Sequence, residues 1–65
     1  MTFRLTVPKS DFDEAKAQAR ANDAEPESHW PEGTDIVMQF RSAEKMGRTA
    51  DALAVRNIDF DIETF

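Results

Sequence analysis

The sequence predicts a small α+β domain, and three observations carry that prediction. Three segments, "TFRLTV", "DIVMQF" and "IDFDIETF", alternate apolar and polar residues with the period of a half-buried strand. Two others, "SDFDEAKAQARAND" and "SAEKMGRTADALAVR", repeat apolar residues at helical spacing. The two kinds come in strict alternation along 65 residues, enough for one domain over 1–65.

In the first strand Phe3, Leu5 and Val7 face one way and Thr2, Arg4 and Thr6 the other. Pro8 closes it, because proline has no N–H for the ladder. The first helix follows, with Ser10 as its expected N-cap. Asp11, Asp13 and Glu14 lie in the first turn, where the helix dipole favours acids. Phe12, Ala15 and Ala19 form a narrow apolar stripe, widened by Ala17 or Ala21, and Asn22 and Asp23 stop the helix. The step Trp30-Pro31-Glu32-Gly33 has the composition of a tight turn. It would join a short, poor strand around Glu27 to Trp30 to the good strand after it, in which Ile36, Met38 and Phe40 share a face.

Ser42 is the expected N-cap of the second helix, with Glu44 in its first turn. Ala43, Met46, Ala50 and Leu53, with Ala54, recur at helical spacing. Gly47 inside that helix costs ~1 kcal/mol relative to alanine, which close approach to a neighbouring element would explain. Asn57 tolerates the left-handed conformation that ends a helix. The final strand sets Ile58, Phe60 and Ile62 against Asp59, Asp61 and Glu63.

Two strand–helix–strand units joined by a hairpin make the ferredoxin-like βαββαβ plan. It implies two helices on one face of a three- or four-stranded sheet, the second strand short or absent, in the order 4-1-3-2. The segment from Ile36 to Ile62 resembles the strand–helix–strand of small regulatory ferredoxin-like domains. No residue motif belongs to one family, so no functional residue follows from the resemblance.

Composition narrows function. The chain has no cysteine, so no disulfide or thiolate zinc site supplements its small core; this fits a reducing, cytoplasmic setting. No apolar run approaches the ~18 residues that span a bilayer, and the alternating start does not read as a signal peptide. With 8 Lys+Arg against 13 Asp+Glu, the net charge is −5. That balance disfavours direct binding to nucleic acid or an anionic membrane, whose phosphates need a basic surface. It suits a basic protein partner or imitation of nucleic acid.

The predicted open sheet face carries Asp59, Asp61 and Glu63 about 7 Å apart on an edge strand, with Arg4 on the neighbouring strand positioned to offset their repulsion. Charges there discourage edge-to-edge association; equally, they form an acidic docking patch. Three carboxylates on one straight strand do not converge on a metal, and no calcium-loop spacing occurs. The outward positions Thr2, Arg4, Thr6, Val37 and Gln39 of the central strands include no aromatic residue for stacking bases.

His29, the one histidine, has Glu25, Glu27 and Glu32 nearby in sequence, but no oriented partner or pocket that a general base needs. It reads as a surface residue. Trp30 is expected to cap the core beneath the hairpin, or else to anchor an interface. Phe65 falls on the acidic face by parity, frayed or covered by a partner. No Ser–His–acid grouping, glycine-rich phosphate loop or HExxH occurs, so neither catalysis nor a cofactor is expected.

The expectation is a non-catalytic interaction or regulatory protein that docks on a protein partner, with homodimerisation through sheet face or edge as one route. Asp59, Asp61, Glu63, Trp30, Phe65 and Arg4 are its candidate contacts. An acidic inhibitor occupying an enzyme's nucleic-acid groove is the second reading, and a dimeric small-molecule sensor the third.

Overall fold

The computed structural model describes residues Met1–Phe65. Strand β1 spans Phe3–Pro8, helix α1 Phe12–Ala21, β2 Ser28–Glu32, β3 Asp35–Phe40, α2 Ala43–Val55 and β4 Asp61–Thr64. The four strands form one antiparallel sheet in the order β2-β3-β1-β4, the ferredoxin-like order expected. The weak strand therefore forms. As an edge strand, β2 needs only one side of its backbone paired, which is why it accommodates Pro31. No helix is long and apolar enough to cross a membrane.

The helices lie over one face of the sheet. Leu5, Val7, Met38 and Phe40 from the central strands meet Ala15 of α1 and Met46, Ala50 and Leu53 of α2. Phe3, Phe12, Ile58 and Phe60 pack around this cluster, half-buried. Burying a leucine or methionine side chain contributes about 1.5–3 kcal/mol, so Leu5, Met38 and Leu53, all fully buried, dominate the core. Thr49 is buried among them and satisfies its hydroxyl by donating to the Lys45 carbonyl at 3.2 Å.

Helix α2 keeps the caps its sequence implies. The Ser42 hydroxyl accepts from the Lys45 N–H at 3.2 Å. Asn57 takes φ 59°, and the Asn57 and Ile58 N–H groups donate back to the Ala54 and Leu53 carbonyls at 3.1 and 3.0 Å. These paired bonds satisfy carbonyls that a helix C-terminus leaves open. Helix α1 ends the same way, with Asp23 at φ 53° and buried Ala24 donating to the Ala19 carbonyl at 2.8 Å.

Five local expectations need correction. Ser10 does not cap α1: Lys9–Asp11 form a 3₁₀ turn, and Asp11 precedes the helix without a side-chain capping bond. The hairpin turn lies two residues later than expected. Glu32 pairs with Asp35, so Gly33 and Thr34 make a two-residue loop, with Gly33 at φ 63°. A positive φ at the first loop position matches the right-handed twist of the flanking strands and selects glycine. Gly47 has no close neighbour, since a Cβ there would meet nothing within 4 Å.

Strand β4 starts at Asp61, not Ile58, so Asp59 lies outside the ladder. Ile62 is correspondingly 47% exposed rather than a core residue, because only a four-residue strand reaches this edge and no helix lies fully over it. Trp30, finally, does not cap the core. It sits opposite Val37, and Val37 alternates with Met38 and Ile36 of the helix-covered side. The tryptophan is therefore on the uncovered face.

Candidate functional site: the open face of the sheet

Strand pairing decides what meets on the face away from the helices. Gln39 lies opposite Arg4 on one side, and Glu63 lies opposite Arg4 on the other. The next row is Trp30, Val37, Thr6 and Asp61, followed by Glu32, Asp35 and Pro8. The face has two unlike parts.

The first part is aromatic and cationic. The Arg4 guanidinium carbon lies 5.1 Å from the Trp30 ring centre and 5.0 Å from that of Phe65. Both distances fall within the ~6 Å range where a cation is attracted to a ring face. Phe65 is not frayed: its N–H donates to the Thr2 carbonyl at 3.0 Å and its carbonyl accepts from the Thr2 N–H at 2.9 Å. The residue is 62% exposed. The Arg4 Nε donates to Gln39 Oε1 at 3.5 Å, and Gln39 Nε2 donates to Glu27 Oε1 at 2.9 Å. Val37 is 5% exposed although no helix covers it.

The second part is acidic. At the end of the sheet Asp35, Asp59 and Asp61 border a hollow of about 120 Å³ with Thr6, Pro8 and, from the helix-covered side, Val7 and Phe60. Glu32, Asp35, Asp61 and Glu63 border an adjoining one of about 200 Å³ with Thr6 and Val37. None of these five carboxylates belongs to an ion pair. The four ion pairs of the molecule, Arg20–Glu25, Arg41–Glu27, Arg48–Glu44 and Arg56–Glu14, all lie elsewhere.

Arg4 does not neutralise the row as expected. It stands in register with Glu63, but its guanidinium goes to the rings and forms no ion pair. Of the expected site residues, Trp30, Arg4 and Phe65 are brought together, and so are Asp59, Asp61 and Glu63. Asp35 and Glu32 join them unforeseen. Asp35 has the right parity in "DIVMQF", whereas Glu32 sits in the turn-like step Trp30-Pro31-Glu32-Gly33, whose composition hides its place on the face.

His29 points to the other side, opposite Met38, and its ring centre lies 4.9 Å from that of Phe12 on α1. The nearby glutamates do not join it; no three His, Asp or Glu side chains gather as metal ligands anywhere in the chain. No family model, curated protein or solved structure matches this chain.

Proposed function

We propose that the protein is a non-catalytic interaction module that docks a protein partner, acting in the cytoplasm, on the open face of its sheet. One observation carries this reading: half-buried Trp30 and exposed Phe65 stand on an uncovered sheet face beside five carboxylates without ion pairs. Aromatic residues are enriched among the anchors of interfaces, and a like-charged rim attracts a partner of opposite sign. The partner surface is therefore basic. A second copy of this acidic chain is the less favoured occupant, because the two carboxylate groups would repel.

The test compares three baits in a pull-down: the wild type, an Asp61→Ser/Glu63→Ser variant, and Asp13→Ser, which changes an acid on α1 instead. Capture of the same protein by wild type and Asp13→Ser, with loss in the open-face variant, is the expected pattern. Equal capture by all three would overturn it.

The acidic group also favours a second reading, an inhibitor that occupies the nucleic-acid groove of an enzyme. Competition by DNA or RNA for the captured partner, and release at moderate salt, would select it. A small-molecule sensor ranks third. The hollows of about 120 and 200 Å³ are smaller than the ~300–1,000 Å³ of drug-sized sites, so this reading requires a second copy to complete the pocket.

A further inference from the structure

We propose that Trp30 and Phe65 form a seat for a guanidinium, filled within the chain by Arg4, and that a partner's arginine takes the seat by displacing it. The inference rests on the docking reading above and names the chemical group that docks.

The seat already holds its own kind of ligand. Arg4 lies 5.1 Å from one ring centre and 5.0 Å from the other. The two rings reach the same face from opposite edges of the sheet, Trp30 from β2 and Phe65 from the residue after β4. A guanidinium has five N–H donors, yet Arg4 makes one side-chain hydrogen bond, the long 3.5 Å contact to Gln39. It forms no ion pair. The rings therefore supply most of what holds it, and another guanidinium can replace it there with little else to break.

Charge favours the exchange. Glu63 lies opposite Arg4 in the ladder and Asp61 follows on the same side of β4, both free of ion pairs. A partner's arginine at the rings would approach these carboxylates, and neighbouring basic residues would reach Asp35 and Glu32. Arginine suits the seat better than lysine because its planar, weakly hydrated group stacks on aromatic faces, whereas an ammonium is a compact, strongly hydrated charge.

The chain has one tryptophan and no tyrosine, so its intrinsic emission reports directly on the seat. The test titrates a five-residue lysine-flanked peptide with arginine at its centre, and matched peptides with citrulline or lysine there, while following Trp30 fluorescence. Arg4→Ser vacates the seat and should bind the arginine peptide at least tenfold more tightly than the wild type does. The citrulline and lysine peptides should each bind Arg4→Ser at least tenfold more weakly than the arginine peptide, and a lysine peptide that binds as tightly as the arginine one would reduce the seat to charge attraction and overturn it. Adding Phe65→Ser to Arg4→Ser removes one wall and should abolish the gain. Equal affinity of wild type and Arg4→Ser, or of arginine and citrulline peptides, would overturn the seat.

Circular dichroism checks that Arg4→Ser folds. If it does not, the wild type decides: millimolar arginine peptide should shift Trp30 emission and citrulline peptide should not, and identical responses would reject the proposal. Failure here with capture still dependent on Asp61 and Glu63 would remove the guanidinium seat alone and leave the docking face standing.

Discussion

The two faces of this sheet are built on different principles. The covered face is held by local pattern. Phe3, Leu5 and Val7, and Met38 and Phe40, each repeat at two-residue spacing, and burial against α1 and α2 needs only that they be apolar and of suitable size. The open face is held by register. Arg4, Trp30 and Phe65 are remote in sequence and meet only because β3 aligns β2 with β1, and the Thr2–Phe65 pairing continues the β4 ladder. Stability therefore resides mainly on one face, and the opposite face is free to specialise.

That contrast can be broken or sharpened by four substitutions. Leu5→Ala should have the largest effect. The side chain is fully buried in the centre of the covered face, and such truncations cost about 2–5 kcal/mol. A domain of 65 residues holds only roughly 3–10 kcal/mol in total, so urea unfolding of this variant should show a small fraction of the wild-type stability.

Gly33→Val comes next and attacks the device that sorts residues between faces. Gly33 holds φ 63° in the β2–β3 loop, a conformation that costs a β-branched residue about 1–3 kcal/mol. A shift of one residue in the β2–β3 pairing would turn Trp30 to the other side. The variant should therefore lose stability and change Trp30 emission together; a stability loss with unchanged emission would mean that register survives without the glycine.

Gly47→Ala should raise stability by about 0.5–1 kcal/mol, because the added methyl meets nothing within 4 Å and alanine is the better helix former. The smallest effect belongs to the open face. Asp61→Ser should leave the urea midpoint within about 0.5 kcal/mol of wild type, since Asp61 is exposed and forms no ion pair. A loss as large as that of Leu5→Ala would erase the division of labour between the faces.

How much of this was legible in the sequence follows the same division. The paired alternations in β1 and β3, the Ser42 cap and the left-handed stop at Asn57 are local signals, and each is met in the structure. Placing β2 was harder, because "SHWPE" has no apolar alternation and its burial pattern has none either. A turn placed at Pro31 and Glu32 removed Glu32 from the sheet and left the side of Trp30 open to error; only the Glu32–Asp35 pairing assigns both. The start of β4 is not legible because "IDFDIETF" alternates evenly throughout, while Ile58 is engaged in ending α2 through its bond to Leu53. The Arg4 sandwich gave no sequence signal, since charge pairing with Glu63 and stacking on rings are equally available to an arginine until the register is known.

The position of β1 has a consequence for how the chain assembles. This strand is synthesised first, yet it lies between β3 and β4, so both its neighbours come after α1 has been made. Phe3 pairs with Thr64, nearly the full length of the chain away, and such distant pairings slow folding because a large loop must close before they form. Thr2 and Phe65 nevertheless end side by side, joined through both of their backbone groups. A short linker between those two residues, with new ends opened at the Gly33–Thr34 loop, would turn the most distant strand pair of the molecule into its most local one.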